Sequence, residues 1–180
     1  MPLKENRKYT AEEYLALTPE TNEKSELIYG EIVAQAAPSI QHQRISREVS
    51  FQLVSYVKSK GGKCEVFSAP TDVRLDEYTV VQPDIFIGCD PERFDKQKFN
   101  GAPDLVIEIV SSNLTDDYST KLELYKNSGV REYWIIDPKV EKTVVYLFGD
   151  RVEVNIYTFD KPIPVSLYNG EISITVKDML

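Results

Sequence analysis

This chain is poor in the residues that build metal centres and covalent staples. Its 180 residues include one histidine, two cysteines and one tryptophan. The single histidine, His42, excludes a metal centre made from several imidazoles of one chain. Cys64 and Cys89 are too few for a disulfide framework or a thiolate zinc site, and they fit a reducing cytoplasm. No apolar run approaches the ~18 residues of a membrane span, and MPLKENRKYT carries no signal-peptide pattern, so a cytoplasmic protein off the membrane is expected. Basic residues are outnumbered, 21 Lys and Arg against 29 Asp and Glu, for a formal net charge of −8. That argues against a protein coated in basic residues for nucleic acid, but it leaves a local basic groove open, because a field depends on placement as well as on the sum. Repeats, low-complexity tracts and linkers are also missing.

What remains describes one globular domain over residues 1–180. Hydrophobic residues make up 42% and charged residues 28%. A chain this long buries roughly 70% of its unfolded surface without staples. Thr10 and Glu13 form a capping-box pattern ahead of a short helix, 10–17. ELIYGEIVAQA (26–36) reads as two strands around a Tyr29-Gly30 turn. Ser39 caps a long amphipathic helix with Ile40, Ile45, Val49, Leu53, Tyr56 and Val57 near helical spacing, and Gly61-Gly62 ends it. CEVFSA (64–69), TDVRL (71–75) and VVQPDIFIG (80–88) read as strands, and PERFDKQKFNGAP (91–103) as a polar loop. DLVIEIV is a strand. A second helix begins at Asp116-Asp117 and stops at Ser128-Gly129. EYWIID (132–137) is a strand, and TVVYLFGD, RVEVNIYTF and ISITV follow as an antiparallel meander over 143–176. The expected fold is α/β (α+β): a mixed central β-sheet flanked by helices, core about 26–140, with additional antiparallel C-terminal strands.

Two acids stand where a sheet disfavours them. Alternation puts Leu105, Ile107 and Ile109 on one face of their strand and Val106, Glu108 and Val110 on the other. Both faces are apolar, which marks a central strand covered on both sides. An ionised carboxylate there costs several kcal/mol unless it is paired, hydrogen-bonded or metal-bound. Asp84 opens the apolar run Ile85-Phe86-Ile87 in the same way, and the two acids meet if their strands pair. Two such oxygen ligands suit Mg²⁺ or Mn²⁺. Lys121, on the next helix with Tyr125 and Ser128, can point back toward the end of the Glu108 strand. Each feature also has a plain structural reading: Asp84 as a turn cap after Pro83, Glu108 in a salt bridge, Lys121 as a solvated helix residue, Glu26 as an exposed edge acid, His42 as a packing residue, Trp134 as core.

VQPDIF, PDLVIEIVSSN and DDYSTKLELYKNSGVREYWIIDP, in this order after ELIYGEIVAQAAPSIQHQRI, resemble the Uma-type restriction endonuclease family, long filed as a domain of unknown function, within the PD-(D/E)XK nuclease superfamily. The resemblance covers roughly residues 8–150. It implies a restriction-endonuclease-like fold, with Asp84 and Glu108 as ligands of Mg²⁺ or Mn²⁺ and the strand carbonyl near Ile109 as a further ligand. It implies Lys121 as the catalytic cation and Glu26 as a further acid at the edge of the site. The usual lysine, two residues past the second acid, is Val110 here, and the family's helix-borne lysine matches Lys121. His42 matches a helix histidine to which no chemistry is assigned. The implied activity is metal-dependent endonucleolytic hydrolysis of DNA, with a homodimer as the implied assembly. The alternative is a non-catalytic dimeric DNA-binding or protein-interaction module that retains the fold.

Overall fold

The computed structural model describes residues 7–18, 24–111 and 119–180. Helix α1 (Ala11–Leu17) carries the expected capping box: the Glu13 N–H donates to Thr10 Oγ1, and Thr10 N–H to the Glu13 carboxylate. Strands β1 (Ser25–Ile28) and β2 (Glu31–Ala34) form the expected hairpin. Tyr29 and Gly30 both take positive φ at its turn, 51° and 86°. Gly30 is needed twice over, because a Cβ there would also lie 2.9 Å from Lys8 Cβ. Helix α2 (Ile40–Lys60) is capped by Ser39 and ends at Gly61 with φ 65°. Its buried stripe is His42, Ile45, Val49 and Leu53, whereas Ile40 is exposed.

The run 80–88 is two strands rather than one. Pro83 has no N–H to donate to a ladder, and the chain breaks there. It gives β5 (Thr79–Val81) and β6 (Ile85–Gly88), which belong to different sheets. The other strands are β3 (Glu65–Ser68), β4 (Asp72–Asp76), β7 (Lys98–Asn100), β8 (Leu105–Ile109), β9 (Glu132–Asp137), β10 (Lys142–Phe148), β11 (Val152–Thr158), β12 (Ile163–Pro164) and β13 (Ser173–Ile174). Strand β7 lies inside the segment expected to be loop. It is only three residues long, too short for periodicity to reveal. Helix α3 spans Lys121–Ser128 and ends at Gly129 in the left-handed conformation. Its expected start at Asp116-Asp117 lies outside the described residues.

A single central sheet was expected, but the described residues form two large sheets and a small two-stranded one. The five-stranded sheet runs β2-β1-β5-β4-β7 and the six-stranded sheet β11-β10-β9-β8-β6-β3. The six-stranded sheet is mixed, since β8 and β9 are parallel and its other pairs antiparallel. The expected meander holds for β10-β11, but Ser173–Ile174 leaves it and pairs with Ile163–Pro164 instead. Leu105, Ile107 and Ile109 face one core with Ile45, Val49, Leu53 and Trp134. Val106 and Val110 face the other, with Phe86, Leu124, Tyr125 and Tyr133. The cysteines are not free: Cys64 and Cys89, one step beyond the Glu65–Gly88 pair, form a disulfide.

Candidate active site

The pairing that makes the site is β6 against β8. Ile85 sits opposite Ile107, so Asp84 and Glu108 follow at the next step. Both are buried, 6% and 4% exposed. The Asp84 N–H points at Glu108 Oε2 across 3.4 Å. Glu108 Oε1 accepts from Lys121 Nζ at 2.9 Å and from the Tyr125 hydroxyl at 2.7 Å. Lys121 and Tyr125, one helical turn apart on α3, thus converge on one oxygen. Lys121 Nζ also lies 3.2 Å from Glu26 Oε2. Glu26 is fully buried in β1, and the Gln82 N–H and Gln35 Nε2 donate to it at 2.8 and 2.7 Å. The exposed-edge reading of Glu26 and the solvated reading of Lys121 are both overturned.

Asp84 has its own partners. Its Oδ2 accepts from the Ile109 N–H at 2.8 Å and from His42 Nε2 at 2.9 Å. Lys24 Nζ stands 3.6 Å from Oδ1. Burial pushes the Asp84 carboxyl up, but His42, Lys24 and the Ile109 N–H together outweigh it and hold the group below the ordinary aspartate value. The Tyr125 hydroxyl is driven well up, by burial first and then by the Glu108 and Glu26 charges, so it stays a donor.

Two residues of this cluster, His42 and Lys24, carry no assigned chemistry in the sequence pattern. His42 sits three residues past the Ser39 cap, on the buried stripe of α2, which aims it at the Asp84 strand. Its Nδ1 is buried with no hydrogen-bond partner among the described residues. Lys24 precedes Glu26 by two residues, the spacing that shares a strand face. That alternation was the available signal. Val110 is buried in the core with Leu124 and Tyr125 of α3.

Three carboxylates here face two ammonium groups, which leaves one negative charge when His42 is neutral. A cavity of about 30 Å³ opens among Lys24, His42, Asp84, Glu108 and Lys121, room for a water or an ion. A second cavity of about 290 Å³ adjoins it beneath the β1–β2 hairpin, lined by Tyr29, Val33, Gln35 and Lys121. No helix among the described residues is long and apolar enough to cross a membrane.

The family model for Uma2, described as "Putative restriction endonuclease", matches residues 11–177. The chain belongs to the Uma2 family. Among solved structures, a putative nuclease belonging to DUF820 from Anabaena variabilis superposes with a TM-score of 0.77 at 26% identity, covering 95% of this chain and 97% of that one. The uncharacterized protein sll1609 of Synechocystis is 29% identical over 135 residues, 71% of this chain and 74% of its own length. Family and neighbour together place the two sheets, α2 and α3 in a nuclease-like fold. They also coincide with the part of the chain that carries Glu26, Asp84, Glu108 and Lys121.

Proposed function

We propose that the chain is a metal-dependent endonuclease that hydrolyses DNA phosphodiester bonds, with Asp84, Glu108, Lys121 and Glu26 as its working residues. One observation carries the reading. Lys121, 13 positions from Glu108 and 95 from Glu26, is buried with its ammonium group between those two carboxylates, beside Asp84. The donor set fits Mg²⁺ or Mn²⁺, since it is all oxygen, carries excess negative charge and borders a small polar cavity. Among the described residues no trio of His, Cys, Asp or Glu could hold an ion by side chains alone. Asp84 and Glu108 would therefore share it with the carbonyl near Ile109 and with water. Such an ion, when bound, supplies positive charge opposite a phosphate oxygen and makes water easier to deprotonate.

The chain's own residues supply the positioning. His42 and the Ile109 N–H fix Asp84 Oδ2, which leaves Oδ1 for a ligand. Lys24, partly exposed, exchanges Asp84 for an incoming phosphate. Lys121 stabilises the charge that builds on the phosphorus oxygens as water adds and the ester oxygen leaves. Glu26, held by Gln35 and Gln82, keeps Lys121 in place. Asp84→Asn and Glu108→Gln proteins incubated with supercoiled, linear and single-stranded DNA in Mn²⁺ test this. Cleavage by wild type and its loss in both variants is expected. A wild type that binds Mn²⁺ yet cuts none of the three would end the proposal. One copy acting alone leaves nicks, whereas two copies on opposite strands leave linear product.

The net charge of −8 favours a second reading, a non-catalytic binding module in which the Glu108–Lys121–Glu26 network is purely structural. Under it, DNA is bound or ignored but never cut. The proposed compartment is the cytoplasm, where the substrate is. The Cys64–Cys89 bond counts against a reducing compartment. Thiol counting on protein isolated under alkylating conditions decides that point.

A further inference from the structure

Strand β11 is exposed in a way its sequence does not anticipate. Val152-Glu153-Val154-Asn155-Ile156 alternates apolar with polar residues, the pattern of a half-buried strand. Yet Val152, Val154 and Ile156 are 42%, 52% and 65% exposed. They lie opposite Phe148, Tyr146 and Val144 of β10, and Tyr146 and Val144 lie opposite Tyr133 and Ile135 of β9. An apolar layer therefore runs unbroken from the core under α3 to the edge of the sheet. Helix α3 is eight residues long. Its Tyr125 packs on Tyr133 at 4.9 Å between ring centroids, and Tyr146 stacks on Tyr133 at 6.1 Å. Beyond that ring the layer is left to solvent.

Among the described residues the same edge is open in hydrogen bonding. The Phe148 N–H donates to Arg131 O at 2.8 Å, away from β11, and the Phe159 N–H donates to Glu141 O at 3.2 Å, toward β10. In an antiparallel ladder these directions alternate residue by residue. The β10–β11 register is one-to-one throughout. Val152, Val154, Ile156 and Thr158 therefore turn their N–H and C=O groups to the free edge. Exposed edges are usually blunted by proline, lysine, a bulge or short length. Strand β11 has seven residues and none of these devices, and Glu153 is its one charge.

We propose that a second copy of the chain docks here, β11 against β11, antiparallel about a two-fold axis at Val154. That register sets Val152 against Ile156 and Val154 against Val154 of the second copy. It also sets Glu153 against Asn155. Centring the axis on Glu153 would oppose two carboxylates. Centring it on Asn155 would set Val152 against Thr158 and Asp150 against Asp160. The strand is thus complementary to itself in both of its rows, which is what an isologous interface requires. Stable interfaces bury about 1,200–2,000 Å². One strand seam with its flanking apolar face lies at the low end, so a dissociation constant on the order of micromolar is expected. The interface does not depend on the nuclease reading, and Glu108→Gln protein should pair as wild type does.

Sedimentation velocity from about 1 μM to about 200 μM on wild type, Val154→Lys and Val154→Pro tests the interface. Val154→Pro removes an N–H that points outward, so the β10 ladder survives it. Wild type should pass from monomer to dimer. Both variants should stay monomeric, at least ~100-fold weaker in association, with unchanged circular dichroism. Hydrogen exchange on wild type alone should show the Val154 and Ile156 amides slowing as concentration rises. A wild type that is monomeric throughout overturns the proposal. So does a dimer whose Val154 and Ile156 amides exchange as in the monomer, and so does a folded Val154→Pro protein that still pairs.

Discussion

Glu108 and Glu132 are both strand glutamates, both all but inaccessible, and they are neutralised in opposite ways. Glu108 is met by the Lys121 ammonium and the Tyr125 hydroxyl, and it shares Lys121 with Glu26. Glu132 is met by fixed, uncharged donors: Trp134 Nε1 at 2.8 Å, the Ser166 N–H at 3.1 Å and the Leu167 N–H at 2.7 Å. The last two open a 3-10 turn, Ser166–Tyr168, so Glu132 pins the C-terminal segment to the sheet. Backbone donors cannot leave without unfolding something. Side-chain cations can move aside for a substrate. Burial of an acid therefore says little by itself, and the partners decide whether the site is a rivet or an exchangeable seat.

The largest test of that contrast is kinetic. Asp84→Asn and Glu108→Gln should each lower the initial rate of DNA cleavage in Mn²⁺ by about 10³-fold or more, whereas Glu132→Gln should leave the rate per folded molecule within a few-fold. Next is Lys121→Met, which strands Glu26 and Glu108 without their shared cation. Urea unfolding should show a loss of about 3–5 kcal/mol, and adding Glu26→Gln should recover part of that stability with no recovery of cleavage. Glu132→Ala leaves three buried donors unpaired and should cost about 3 kcal/mol, read through the fluorescence of the single tryptophan. His42→Ala should weaken Mn²⁺ binding by about 10-fold or more, measured by titration calorimetry, with little loss of rate at saturating metal.

The smallest effect is in pH and has opposite signs at two buried acids. Asp84 is held below its ordinary value in the folded chain. Its stabilisation is present above the unfolded pKa of about 4 and fades as pH falls through the folded value. Glu132 is raised, by burial first, with Trp134, Leu167 and Ser166 only partly offsetting it. Its protonated form favours the fold, so its contribution is fullest below about pH 4.3 and declines as pH rises through the folded value. Stability curves of Asp84→Asn and Glu132→Gln, each subtracted from wild type, should slope in opposite directions in acid. Parallel slopes would mean that the two environments are electrostatically alike.

How much of this was legible follows from the range of the physics involved. Period-two alternation assigned every residue of Leu105–Val110 to its face, because that signal is local. The capping box at Thr10, the Tyr29-Gly30 turn and the Gly61 stop were local as well. The division of 80–88 at Pro83 is readable from the missing N–H, but the apolar run on both sides masks it. The existence of two sheets was not local, since nothing in VVQ or DIFIG says that they pair with different neighbours. At the site, strand logic suggested that Asp84 and Glu108 meet, and α3 offered Lys121. His42 was hidden because a histidine on an apolar helical stripe looks the same whether it packs or orients a carboxylate. Glu132 escaped notice because its donors lie 34 and 35 positions further on.

The Lys121 bridge has a last consequence, for the order of folding. Glu26 belongs to the five-stranded sheet and Glu108 to the six-stranded one, and Lys121, which joins them, is 95 positions from Glu26. Contacts of such span close late, after the loop entropy between them has been overcome. A nascent or partly refolded chain can hold either sheet without holding the site. The bridge thus ties the two sheets to each other through one ammonium group, and it exists only where both are in place.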